Sequence, residues 1–372
     1  MKISESVHPI YATLADSWIK FRLTKEGGDD YIEQYLVKYS DRETPTKFKD
    51  RRDVTPIPGF AAAAVVDIKN SIFQRMADTT RLEGTDLFRD VMSGSFNGID
   101  LKGADMGYFI GNEVLIELLF MGKVGVYVDM PILPSNSTLQ QTKNLHPYYY
   151  TYATEDIRNW RLSTHEDSTE FDMLLLRERI LTYDEFDLPQ KDSVRYRLLT
   201  KEDDNIFVRF FDDDNNQINI NGAKTDETIM LDIKKIPFVL FELNQSLLQN
   251  IANHQIALLN LESSDISYAL LSNFPHYIEQ QSLMDSHHLK TPNDGSETNY
   301  IEGDIGNSVG RSYVGSQPPS FIHPSSEPLI ASMDKQARLK DDIRQLVQLA
   351  LSAIQPKFAS ARSKEFDQHG LE

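Results

Sequence analysis

Between Pro237 and Pro275 the chain runs without a single Gly, Pro, Lys or Arg. An uninterrupted stretch of that length has few folds open to it. Leu248, Ile251, Leu258, Leu259, Ile266 and Leu270 recur at helical spacing within it, and this period predicts a helix from Phe241 to about Leu271. About 30 residues of helix would be roughly 45 Å long. Its polar side is made of amides and hydroxyls, Gln245, Asn250, Asn253, His254, Gln255, Asn260 and Ser263, in place of the usual Lys/Glu pairs. The plain account of that side is a solvated face rich in amides.

A second helix is announced by Ser325-Ser326-Glu327-Pro328, with Ser326 as N-cap and Pro328 in the first turn. Its apolar positions Ile330, Met333, Ala337, Ile343, Leu346, Val347, Ala350 and Ile354 keep the period up to Pro356. Between the two helices, residues 282–326 are rich in turn formers: Thr291-Pro292-Asn293-Asp294-Gly295, Gly303, Gly306, Gly310, Gly315 and Pro318-Pro319. This predicts a small β-rich module with short strands at Asn299–Glu302 and Ser312–Val314, a disordered insert being the other reading.

Upstream, residues 194–199, 206–211 and 217–220 alternate as strands split by the polar turns 201–205 and 212–216, which predicts an antiparallel meander. Gly59 to Ala77 and Gly107 to Met121 read as helices, and Gly125 to Asp129 as a strand. The expected class is therefore α+β.

Charge and composition narrow the function. The formal net charge is −18 and there is no cysteine, which removes disulfides, thiolate zinc sites and cysteine nucleophiles. Such acidity argues against general wrapping of nucleic acid, because phosphate binding is driven by Lys and Arg. The segment 237–281 carries four acids and no base. No apolar run reaches the roughly 18 residues of a membrane span. The N-terminus has no signal-peptide core, so an intracellular assembly is expected.

No common catalytic constellation is present. The phosphate-loop lookalike Gly303 to Ser312 has the wrong spacing and an Arg where Lys belongs. Asp212, Asp214 and Asn216 copy three EF-hand positions, but Gln217 replaces the Gly and Ala223 the bidentate Glu, so a hairpin turn is expected. His287-His288 and His165-Glu166-Asp167 lack a third ligand at a recognisable spacing. The sequence thus predicts no enzyme, no cofactor and no metal.

The order of elements, an α+β body, a long helix, a β-rich insert and a second long helix, resembles the wing, stem, clip and stem of the portal proteins, the head–tail connectors of tailed bacteriophages. Local strings carry the resemblance: His8-Pro9-x-Tyr11 with Trp18, the helix around Phe60 to Phe73, and Leu119-Phe120-Met121-Gly122-Lys123-Val124-Gly125 running to Asp129-Met130-Pro131. Pro147-Tyr148 with Tyr152, Ile157-Arg158-Asn159-Trp160-Arg161, Tyr196-Arg197-Leu198-Leu199 and Lys235-Ile236-Pro237-Phe238-Val239 follow in the same order. The resemblance covers most of residues 8–350. It implies a wing over 1–236, a first stem helix over 237–281, a clip over 282–326, a second stem helix over 327–356 and the start of a tunnel-loop segment over 357–372. Portals of this kind continue into a tunnel loop, a helix crossing back over the wing and often a crown, and the expectation here is that the crown is absent or truncated.

The implied function is structural: a ring of twelve subunits at a capsid vertex in the virion, assembled in the host cytoplasm. It would pass double-stranded DNA without sequence specificity during packaging and ejection. The implied partners are the major capsid protein and scaffold, the terminase that hydrolyses ATP, and a tail adaptor, with no membrane. Channel-facing candidates are Asn253, Asn260, Lys335, Arg338, Lys340 and Arg344, with Lys357, Arg362 and Lys364 beyond. Salt bridging of those bases to Asp334, Asp341 and Asp342 is the alternative use. Docking candidates on the clip are His287, His288, Lys290, Tyr300, Arg311 and Tyr313. Two other readings stay open: an α+β enzyme working through Asp and Glu, and a monomeric adaptor that binds a partner through a helical hairpin.

Overall fold

The computed structural model describes residues 2–73, 83–131, 145–165, 168–183, 185–186, 188–202, 205–220, 222–273, 276–278, 320–322 and 325–354. They form an α+β protein that divides into two compact units. The first contains residues 1–36, 57–259 and 339–372; the second contains 37–56 and 260–338.

The first unit opens with α1 (Pro9–Glu26), whose start is set by His8: its ring accepts from the Ile10 amide, and Pro9 supplies a preset φ where no donor is needed. The helix stops at Gly27, which takes φ +69, and α2 (Gly28–Tyr35) follows. In the second unit α3 (Pro45–Val54) repeats the same grammar, with Thr44 accepting from the Lys47 amide and Pro at N1.

Next in the first unit come α4 (Phe60–Phe73) and α5 (Asp86–Met92). The helix expected from Gly107 to Met121 is continuous but changes pitch. It is α at Met106–Tyr108, π at Phe109–Val114 and α again as α6 (Leu115–Met121). Gly122 ends it in the left-handed region at φ +80. Arg22 on α1 ties this helix down, meeting Glu117 at 2.5 Å and Glu155 at 2.7 Å.

Two antiparallel sheets complete the unit. The smaller has the order β2-β1-β9, where β1 is Lys123–Asp129, β2 is Tyr148–Tyr152 and β9 is Phe238–Glu242. One face of β1 buries Val124 and Val126 against Val91, Met92, Ile99, Phe109 and Val114. On the other face Gly125 lies under an aromatic ring: a Cβ there would sit 2.2 Å from Cζ of Phe238. Gly125→Ala is therefore expected to cost about 1–3 kcal/mol, the usual scale of overpacking, read as a lowered urea midpoint with an unchanged slope.

The larger sheet runs β3 (Ile157–His165), β4 (Ser168–Tyr183), β5 (Pro189–Glu202), β6 (Asn205–Phe211) and β7 (Gln217–Ile218), with β8 (Ile229–Leu231) also paired to β6. The expected meander is there: β5 pairs β6 from Tyr196↔Phe211 to Glu202↔Asn205, and Phe210↔Ile218 joins β7. Strand β6 shows the alternation in its burial, with Ile206, Val208 and Phe210 inside. The expected third strand is shorter than 217–220, ending at Ile218.

The first long helix begins later than its periodicity suggests. α7 is Leu248–Ser272, while Phe238–Glu242, placed in the helix region by the sequence, is β9 and pairs β1 from Tyr127↔Phe238 to Lys123↔Glu242. The physical reason is local. The strand closes a ladder, Lys123 Nζ reaches Glu242 at 2.9 Å, and the Leu243 and Leu247 amides are taken by the Gly122 and Leu119 carbonyls. The helix can start only beyond Ser246, whose hydroxyl accepts from the Leu248 amide.

Helix α8 is Glu327–Ile354, as the Ser/Pro signature predicts. In the second unit, β10 (His276–Ile278) and β11 (Ser320–Ile322) pair antiparallel, His276↔Ile322 to Ile278↔Ser320. The expected strands of the insert lie outside the described residues.

Candidate functional site

Residues 248–259 of α7 show how the amide-rich side is used. Leu248, Ile251, Ala252, Leu258 and Leu259 are buried, as the spacing requires. Gln255 is buried with them, which corrects the reading of a single solvated amide face. Its Oε1 accepts from the Ala61 amide at 2.7 Å and its Nε2 donates to the Thr24 carbonyl at 2.8 Å. One amide side chain thereby satisfies two main-chain groups at the end of α1 and the start of α4, as a buried polar group must.

What remains exposed over 248–259 is uniform. Gln249, Asn250 and Asn253 are its exposed side chains, all amides. Asn253 accepts from Lys20 Nζ at 3.4 Å. A groove of about 390 Å³ is lined by Asn250, Asn253 and His254 of α7 with Asp342, Leu346 and Leu349 of α8.

The second half of α7 belongs to the second unit, and its polar positions are again structural. Asn260 is half-buried, and its Oδ1 accepts from the Val37 amide at 2.9 Å. Ser263, expected on the solvated face, is buried. Its Oγ accepts from Arg51 at 2.8 Å and lies 2.7 Å from the Thr55 hydroxyl. Arg51 in turn holds Glu43 with Nε at 2.8 Å and a second nitrogen at 2.9 Å, and both side chains are at most 2% exposed. Nothing in the sequence pattern singles out Glu43 and Arg51, because Glu43 precedes the Pro-initiated helix that carries Arg51 and their spacing is not one at which helical side chains meet.

On α8 the basic candidates are mostly at the surface. Lys335, Arg338 and Arg344 are exposed and Lys340 is half-buried. Arg344 meets Asp341 at 2.7 Å one turn back, so it takes the alternative pairing, worth about 0.3–0.5 kcal/mol at such a surface. The buried positions of α8 are Gln336, Leu339 and Ile343, and Gln336 donates to Asp265 at 2.6 Å. Lys357, Arg362 and Lys364, and the clip candidates His287, His288, Lys290, Tyr300, Arg311 and Tyr313, lie outside the described residues.

A second concave feature was not foreseen. A pocket of about 380 Å³ opens beside β2, β4 and β5, lined by Tyr148, Tyr150, Arg177, Arg179, Arg195 and Arg197 together with Asp129, Asp156 and Glu178. Arg197 is its anchor, 2.7 Å from Glu178 and 4.7 Å over the Tyr127 ring. Burial alone would lower the Arg197 pKa; the ring of Tyr152, Glu178 and Tyr150 around it more than reverses that, so the guanidinium stays charged. Burial pushes the Tyr150 and Tyr152 hydroxyls up, and both remain neutral donors, Tyr152 to Glu178 and Tyr150 to Asp129.

In the acidic turn at 212–216 Asp213 and Asp214 are exposed, while Asp212 turns its carboxylate back on the turn itself. Asp212 Oδ1 accepts from the Asp214 and Asn216 amides at 2.9 and 2.8 Å, and Asn215 takes φ +67. Among the described residues no group of three or more His, Asp or Glu is placed to hold a metal ion. No helix of the described residues is long and apolar enough to cross a membrane. The sequence matches no protein-family model and no curated protein.

Proposed function

We propose that this chain is the subunit of a portal-type ring, a passage for double-stranded DNA at the vertex of a phage capsid. One observation carries the reading: over 248–259 the exposed side chains of a long helix are all amides, in a segment, 237–281, without a single Lys or Arg. Every cation that meets a phosphate releases counterions and adds salt-dependent affinity. A surface past which DNA must slide is better built from neutral amides. Two helices of 25 and 28 residues flanking the insert supply the stem of such a ring, and the insert supplies a docking surface for motor and adaptor.

The first test is the particle mass by light scattering with negative-stain images. A species near twelve times the 42.6 kDa of one chain, with a central hole, supports the reading, since a ring closes through heterologous contacts. A monomer at every concentration overturns it. The channel assignment is tested on Asn250→Lys with Asn253→Lys, both at exposed positions. Rings of normal mass that package DNA more slowly, most of all at low salt, are expected; unchanged packaging removes this face from the channel.

A further inference from the structure

The residues that precede α1 lie against the larger sheet without entering it. Lys2 Nζ reaches Asp214 at 3.3 Å, and the Ile3 amide donates to Asn215 Oδ1 at 2.6 Å, both in the turn after β6. From β3, Arg158 Nη2 donates to the Ser4 carbonyl at 3.0 Å and Asn159 Nδ2 to the Ser6 hydroxyl at 2.9 Å. The His8 amide donates to the Arg158 carbonyl at 2.9 Å. Residues 2–8 thus form a strap pinned at two places on the sheet. None of them is buried, and a segment with so little buried contact is among the first to open.

His8 joins this strap to α1. Its ring stacks on Trp160 at 3.9 Å and 12°, and its Nδ1 accepts from the Ile10 amide at 3.2 Å as the N-cap of the helix. An accepting Nδ1 carries a lone pair, so the cap exists only while the ring is neutral. Protonation sets an N–H against the Ile10 N–H, and the cap is lost. It also brings a second cation to Trp160, for Lys123 Nζ of β1 already lies 4.8 Å from the centre of that ring. A cation over an indole is favourable, but this indole has one. The surrounding charges are engaged elsewhere. Glu242 of β9 holds Lys123 at 2.9 Å, Arg158 of β3 bonds the Tyr11 hydroxyl of α1 at 2.7 Å, and Glu5 of the strap accepts from the Lys2 amide at 3.5 Å. Burial first, and then the charge of Lys123, hold the imidazole below its ordinary value of 6.5.

We infer that residues 2–8 are an acid-released strap, and that protonation of His8 frees it from β3 and from the first turn of α1. The sign follows from the two states of the ring. The docked strap favours the neutral ring, whereas the released strap, with its imidazole in water, binds the proton more readily. The attachment is therefore complete above pH 6.5 and weakens as pH falls below it. Between the released and docked values one proton is taken up on release, so the released fraction rises by up to about tenfold per pH unit. Strap, cap and indole lie in one chain, so the inference does not rest on the ring reading.

The test is hydrogen exchange on the full chain between pH 7.5 and pH 5, corrected for the intrinsic pH dependence of exchange. Protection over residues 2–12 should fall by up to about tenfold per pH unit, while that of 248–259, on the buried helix α7, stays constant. His8→Asn keeps a capping acceptor and does not titrate, so its profile over 2–12 should be flat. Trp160 supplies a second readout. Trp18→Phe leaves it the single tryptophan, and its emission should shift to the red over the same range as the ring is uncovered. A flat profile in the parent overturns the inference, and so does a fall that His8→Asn reproduces, since another group then titrates. A fall shared by 248–259 is global acid unfolding and overturns it too. Lost protection with unchanged Trp160 emission overturns the release from β3.

Discussion

Leu258→Asp should abolish the fold of the first unit, visible as loss of the cooperative thermal transition in circular dichroism. Leu258 has no exposed surface and lies on the buried face of α7 with Leu248, Ile251, Ala252 and Leu259, each at most 1% exposed. The substitution removes a fully buried leucine, worth about 2–5 kcal/mol on truncation, and leaves a carboxylate with no partner, which costs several kcal/mol more or forces protonation. Together these approach the whole stability of an ordinary domain, about 5–15 kcal/mol. Ile251→Asp, at 1% exposure, should behave alike. The control is Asn253→Asp on the same helix: an exposed change that should move stability by no more than about 0.5 kcal/mol. A Leu258→Asp chain that melts like the parent would overturn the burial of this face. Because the buried face is closed within one chain, neither aspartate variant reports on ring assembly; exposed positions such as Asn250 and Asn253 are the ones to test for that.

The long helices and the meander were legible because each repeats its period for many residues: α8 over 28 positions, and β5 and β6 over alternating, turn-bounded runs. β9 was hidden because Phe238-Val239-Leu240-Phe241 is a short apolar run joined to a helical one, without Gly or Pro between them, and such a run fits both periods. β4 was missed for a different reason. Its centre, Met173-Leu174-Leu175-Leu176-Arg177-Glu178-Arg179, is made of good helix formers. Pairing with β3 on one side and β5 on the other overrides that preference.

The polar side of α7 shows the same limit at single-residue scale. Gln255 and Asn253 are both amides on one helix, yet the first is buried and the second exposed. What separates them is the presence of the Thr24 carbonyl and the Ala61 amide, groups roughly two hundred positions away whose arrival no local pattern announces. Ser263 has the same history, its fate decided by Arg51 and Thr55. Period tells which face a residue occupies; whether a polar group there is solvated or satisfied depends on long-range pairing.

Glu43 and Arg51 give the largest expected effect in the second unit. Arg51 bonds both oxygens of Glu43, the Val37 carbonyl and the Ser263 hydroxyl, and lies over the rings of Tyr39 and Phe48. With every donor group so engaged, removing one partner is costly. Glu43→Ala should destabilise by about 3–5 kcal/mol, because the guanidinium stays buried and unpaired. The double change Glu43→Leu with Arg51→Met should cost far less, since an apolar pair replaces both charges. The pH dependence has a definite sign. Hydrogen bonds from Arg51 hold the Glu43 carboxyl below its ordinary value, against the opposing pull of burial. A depressed acid contributes stability that is fully present above the unfolded pKa, near 4.5, and is lost as pH falls below it through the folded value. Urea midpoints measured from pH 7 down to pH 3 should therefore fall for the parent and fall less steeply for the double variant. Parallel profiles would show that the pair titrates the same way in the folded and unfolded chain, and that its hydrogen bonds do not hold the segment 37–56, α3 included, to α7.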